Sequence, residues 1–114
     1  MSGVIIYPDD RFDLRKLDKK ELIQKLQTAL KGRVISAWLF GSFATGEFHS
    51  QSDIDLILVT KTSAPFVERG KAFLDLTDIF PRIDMIVYTP QEFSHKQEDP
   101  IFLATIGKQL KQIV

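Results

Sequence analysis

The chain has 114 residues, 44% hydrophobic and 26% charged, which is the balance of one globular domain and excludes wholesale disorder. Fifteen Lys and Arg offset fifteen Asp and Glu, so no global basic footprint points to nucleic acid, and the absence of Cys excludes disulfides and thiolate metal or redox sites. No apolar run approaches the ~18 residues of a membrane span, and the N-terminus MSGVIIYPDDRF lacks the basic region and apolar length of a signal peptide. A cytoplasmic protein that binds neither membrane nor nucleic acid directly is expected.

In chain order, residues 1–16 read as a lead segment with a turn at Pro8-Asp9-Asp10, ahead of a single domain over 17–114. A helix is predicted from Asp18, where Asp18-Lys19-Lys20-Glu21 has the acidic form of a capping box. Leu22, Ile23, Leu26, Ala29 and Leu30 then follow helical spacing, and Gly32 supplies a stop. Its lysines read as a solvated face, or as a surface for an acidic partner. Residues 34–40 (VISAWLF) form a buried strand, ended by Gly41-Ser42, with a turn or short helix over 43–51. Residues 53–60 (DIDLILVT) are a second strand, apolar on both sides beyond its first carboxylates, as a central strand should be. Pro65 opens a helix that runs to Pro81, and residues 83–89 (IDMIVYT) are a third strand. Asp99-Pro100 caps a last helix with Ile101, Phe102, Leu103, Ile106, Leu110 and Ile113 on its apolar side. The order α-β-β-α-β-α predicts an α+β domain, a small mixed sheet with helices packed on it.

The net charge of zero is unevenly distributed. Residues 1–33 carry eight basic and five acidic side chains, residues 61–114 seven of each, and residues 34–60 carry Glu47, Asp53 and Asp55 with no Lys or Arg. Asp53 and Asp55, two apart at the start of a strand, project from the same face. Carboxylates that close repel one another, and together they can chelate a hard cation such as Mg²⁺, which favours carboxylate, water and phosphate oxygens. Asp84 in IDMIV repeats the setting of Asp55 in IDLIL, so adjacent strands would bring three carboxylates together. There Asp84 could ligate a metal or draw the proton from an attacking hydroxyl. Gly41-Ser42 lets backbone approach a phosphate and offers N–H and hydroxyl donors, and Gly46 lets the turn fold back towards Asp53.

Plainer readings stand beside these. An Asp-x-Asp alone is usually solvated, and Ser52 reads as bonding its turn or a neighbouring carboxylate. With only His49 and His95 available there is no Ser–His–Asp set. His49 reads as a surface residue and His95 has no partner at metal-ligand spacing. Trp38 and the strand Phe residues read as core, and Gly107 as a helix position that either packs closely or is tolerated.

Gly41-Ser42, nine intervening residues, then Ser52-Asp53-Ile54-Asp55-Leu56, with Asp84 in RIDMIVYT, resemble the signature of the nucleotidyltransferase superfamily related to DNA polymerase β. The short length resembles its minimal nucleotidyltransferase (MNT) branch, and residues 102–114 resemble that family's closing helix. The resemblance covers residues 20–114 and implies the polymerase β-like fold. It further implies that Gly41, Ser42 and Ser52 bind nucleotide, with Gly41-Ser42 on the β- and γ-phosphates of ATP. Asp53 and Asp55 would ligate Mg²⁺, with Asp84 completing the metal site or activating an acceptor hydroxyl, which attacks the α-phosphate and expels pyrophosphate. Many members have Arg or Lys after Gly-Ser. Here Phe43-Ala44-Thr45 follows, which leaves the triphosphate charge to Mg²⁺, backbone amides and a distant base such as Lys61, Arg69 or Lys71. Small MNT members pair with a helical HEPN-type toxin, so the resemblance implies an antitoxin that adenylylates a toxin Tyr, as a homo- or hetero-oligomer. The alternatives are a small-molecule adenylyltransferase of the aminoglycoside type and a non-catalytic MNT-like module that neutralises its partner by binding.

Overall fold

The computed structural model describes residues 12–114. The turn expected at Pro8-Asp9-Asp10 lies outside the described residues. Of the segment ahead of the first helix, Leu14 is buried in the core, and the Phe12 ring meets Phe80 edge-on with centroids 6.3 Å apart.

Helix α1 spans Lys19–Leu30. The Asp18 carboxylate accepts from the Glu21 N–H at 3.2 Å, satisfying one of the amides that a helix start leaves orphaned. Leu22, Leu26 and Leu30, four apart and so on one stripe, are its buried side chains. The chain turns away through Gly32 at φ +82°.

Four strands, β1 (Ser36–Phe40), β2 (Ile54–Val59), β3 (Ile83–Tyr88) and β4 (Lys111–Gln112), form one mixed sheet in the order β3-β2-β1-β4. β1 runs antiparallel to β2 and β4, whereas β2 and β3 are parallel. The interior place of β2 explains its apolar run. Leu56 and Leu58 join Ala37 and Leu39 under α1, while Ile57 and Val59 join Tyr88, Phe93 and Phe102 on the opposite face. The first face is covered by α1, by α2 (Gly41–Thr45) through Phe43, and by a 3-10 helix at Phe66–Asp78 through Phe73 and Leu76. The second is covered by α3 (Pro90–Glu98), α4 (Pro100–Ala104) and a 3-10 turn, Ile106–Gln109.

The fold is α+β, as expected, but three segments differ from the sequence reading. The predicted 65–81 helix is a 3-10 helix kinked at Phe73 (φ −122°, ψ 17°), held by the Arg33 guanidinium, which donates to both Asp75 carboxylate oxygens at 2.8 and 2.9 Å and to the Ala72 carbonyl at 2.9 Å. Helix α3 was not expected. It buries only Phe93 and is started by a capping box, in which Thr89 Oγ1 accepts from the Glu92 N–H and Glu92 Oε1 from the Thr89 N–H. The closing helix over 102–114 is overturned. α4 stops at Ala104, and Thr105 leaves helical geometry (φ −110°, ψ −94°) with its hydroxyl donating to the Ile101 carbonyl at 2.7 Å. The chain then turns and runs as β4 beside β1. Ile113 is buried there, and Gln27 Nε2 donates to its carbonyl at 2.9 Å. No helix among the described residues is long and apolar enough to cross a membrane.

Candidate active site

Strand register assembles the acidic residues. β2 and β3 pair with Ile54 opposite Ile83, so Asp55 stands directly opposite Asp84. Side chains alternate across a strand, and Ile54 and Leu56 belong to the α1 face. Asp55 and Asp84 therefore share the other face with Ile57 and Ile86, at the starts of their strands. Asp53, two before Asp55, lies just ahead of β2 on the same side. Antiparallel β1 ends at this point, with Phe40 opposite Asp55 and Gly41 following.

Gly41 is held against this cluster. Its φ is +72°, and a Cβ there would overlap the Asp55 carboxylate, so both backbone geometry and space require glycine. Gly46, at φ +86°, ends α2 with its N–H donating to the Ser42 carbonyl at 2.9 Å, and a Cβ there would meet open space.

The carboxylates destabilise one another's charge. Burial, then Asp84 and Asp53, push the Asp55 carboxyl up to about 6. Asp84 is also raised, by burial, by the charge of Asp53 and by a hydrogen bond with Asp53. The sequence reading missed Arg82. Its Nε lies 3.8 Å from Asp53 Oδ1, and one guanidinium nitrogen donates to the carbonyls of Phe12 (2.8 Å), Ser50 (3.0 Å) and Ser52 (3.3 Å). Arg82 thus ties the backbone on the approach to Asp53 to the start of β3. The signal was present, since Arg82 stands two residues before Asp84 and so projects towards the same side.

Asp53, Asp55 and Asp84 supply hard oxygen donors on one face, with unrelieved charge at Asp55 and Asp84, which fits a hard divalent cation. Among the described residues, no three His, Cys, Asp or Glu side chains are already drawn together as a metal-ligating group. Asp53 and Asp84 are exposed and hydrogen-bonded to one another beside Asp55.

The other predicted positions separate. Ser42 follows Gly41 in the first turn of α2. Ser52 is buried, and its Oγ accepts from the His49 N–H at 2.8 Å, closing the turn before Asp53. Phe43, the first residue after Gly41-Ser42, is buried with its ring centroid 5.1 Å from Lys19 Nζ. The distant bases lie at the wrong end. β2 rises roughly 20 Å over its length, and Lys61 follows its far end. Arg69 is there too, committed to Glu92 (2.5 Å) and the Val87 carbonyl (3.1 Å), and Lys71 pairs with Glu68 at 3.9 Å. The expectation that one of them would neutralise a triphosphate is corrected by that placement. Gln109 was also missed, and its Oε1 accepts from the Gly41 N–H at 2.9 Å.

Residues 20–98 match the family described as polymerase beta, nucleotidyltransferase. Over 48 residues the chain is 35% identical to a Methanocaldococcus jannaschii protein named "Putative protein adenylyltransferase", a match covering 42% of this chain and 48% of that one. The chain spans about half the length of the curated relatives it matches. Two solved structures share the fold at low identity. One is of a tri-AMPylated Shewanella oneidensis HEPN toxin in complex with an MNT antitoxin (TM-score 0.55, 15% identity, 85% of this chain and 72% of that chain). The other is of a toxin–antitoxin with AMP-PNP (TM-score 0.54, 19% identity, 86% and 73%).

Proposed function

The chain belongs to the polymerase beta nucleotidyltransferase family, and from that membership we propose that it transfers AMP from ATP to a hydroxyl of a partner protein. The observation that carries this reading is the in-register pair Asp55–Asp84, with Gly41 packed against the Asp55 carboxylate. That arrangement joins a hard-cation site to a turn whose backbone a phosphate can approach.

Gly41 and Ser42 bind the β- and γ-phosphates through backbone N–H and the Ser42 hydroxyl. Ser52, through its bond to His49, fixes the turn that delivers Asp53. Asp53, Asp55 and Asp84 hold Mg²⁺, which when bound neutralises phosphate charge and polarises the α-phosphate. Asp84, directly opposite Asp55 and exposed to the acceptor side, completes this metal site or takes the acceptor proton. The acceptor oxygen bonds to the α-phosphorus as the bond to pyrophosphate breaks. Arg82, beside Asp53 and bonded to the Ser50 carbonyl, braces the turn that leads into Asp53.

The acceptor is a Tyr of a HEPN-type toxin, with this chain as the antitoxin. The MNT resemblance supports that reading, as do fold neighbours solved as toxin–antitoxin complexes, one with an AMPylated toxin. Intact-mass and peptide spectrometry of the partner tests it, after incubation with ATP and Mg²⁺ beside wild-type or Asp55→Asn protein. AMP on Tyr with wild type only is expected. Neutralisation of the partner by both proteins with no added mass would replace the enzyme with a module that acts by binding alone.

A further inference from the structure

We propose that Gln109 is a gate on the nucleotide site, occupying the Gly41 amide until a phosphate oxygen displaces it. The inference rests on the reading of Gly41-Ser42 as the phosphate-holding turn. Three observations carry it. The Gly41 N–H, one of the orphan donors at the start of α2, points at Gln109 Oε1 at 2.9 Å, so a neutral carbonyl oxygen fills the place a phosphate oxygen would take. Gly41 is seated against the Asp55 carboxylate at φ +72°, with no space even for a methyl group on that side. What moves is therefore the Gln109 side chain, which is exposed and needs only a rotamer change to leave.

The backbone that carries Gln109 is held more firmly. Ile106 packs into the apolar cluster with Phe93 and Phe102, and a Cβ on Gly107 would come within 3.2 Å of the Phe102 carbonyl and the Leu103 side chain. Just beyond Gln109 the chain enters β4, where Lys111 pairs with Leu39. Gln109 is thus aimed from a fixed turn, and it lies outside residues 20–98, which the family model matches. A neutral hydrogen bond is modest enough for a charged phosphate to outcompete, and removing the competitor should tighten binding by roughly two- to tenfold.

The test is calorimetric titration of wild type, Gln109→Ala and Gln109→Glu with a non-hydrolysable ATP analogue and Mg²⁺, with NMR exchange of the Gly41 amide measured without ligand. Expected are faster Gly41 exchange and tighter binding in Gln109→Ala. Binding should be weaker than wild type in Gln109→Glu, whose carboxylate keeps the amide and repels phosphate. If wild type binds and Gln109→Ala binds equally or less tightly, the gate is overturned while the nucleotide site stands. If Gly41 exchange is unchanged in Gln109→Ala, the contact and the gate are both overturned. If exchange rises but neither protein binds the analogue, the nucleotide reading falls and takes the gate with it.

Discussion

Gly41 and Asp55 constrain one another. The carboxylate occupies the space a Cβ would need, and the backbone takes a conformation that L side chains disfavour by about 1–2 kcal/mol. Gly41→Ala should therefore destabilise the protein by more than Gly46→Ala, where φ is equally unfavourable but the space is open, and only Gly41→Ala should abolish nucleotide binding. Denaturant unfolding of the two variants, with titration of the ATP analogue, checks this. Asp55 gives a pH dependence whose sign follows from its shift. With the folded carboxyl raised to about 6 from an ordinary 3.8, the proton is held more tightly in the folded chain. The resulting stabilisation is fully present below 3.8 and lost as pH rises through 6. Metal-free Asp55→Asn should melt above wild type at pH 8 and lose that advantage towards pH 4. Divalent-cation affinity of wild type should rise as pH passes 6, because cation and proton compete for the same oxygens. The three Asp residues and Gly41 were legible in the sequence because two-residue alternation and a Gly-Ser stop are local signals. Gln109 was not, since it reaches Gly41 across 68 residues and nothing in its neighbourhood marks it.

Among the elements, the strands were readable because each carries a compact apolar run, and β2 announced its interior position by being apolar on both faces. Helix α3 escaped because a segment with one buried side chain shows no periodicity, although its Thr89-Pro90-Gln91-Glu92 start was a visible capping signal. Thr89→Ala should cost about 1 kcal/mol in unfolding free energy, the usual loss for such a cap. The C-terminus was misread for a different reason. Ile106, Leu110 and Ile113 have spacing that suits a helix, but they serve a turn and a strand, and only pairing with β1 distinguishes the two. Ile113→Ala should cost about 2–4 kcal/mol, as expected of a buried residue just beyond β4 rather than the exposed end of a frayed helix, and equilibrium unfolding separates these outcomes. Arg69, considered from sequence as a phosphate partner, joins the 3-10 helix to α3 through Glu92 at the opposite end of the sheet.

For the whole molecule, the neutral sum of charges conceals a directional arrangement. The base-free stretch 34–60 supplies β1, α2 and β2, and folding brings its Asp53 and Asp55 beside Asp84, with Arg82 leaning on Asp53. Family membership over residues 20–98 covers every one of these carboxylates and Gly41-Ser42, while the segment that supplies Gln109 and β4 lies beyond it. The carboxylate cluster thus lies within the part of the chain the family model matches, and the C-terminal segment packs beside it through Gln109 and Gly41. The most direct test of nucleotidyl transfer compares ATP labelled on the α-phosphate with ATP labelled on the γ-phosphate, each incubated with Mg²⁺, the proposed HEPN-type partner and either wild-type or Asp53→Asn/Asp55→Asn protein. The account predicts that only the α-label becomes attached to the partner, and only with wild type. Transfer of the γ-label, or α-labelling that survives in the double variant, would contradict it.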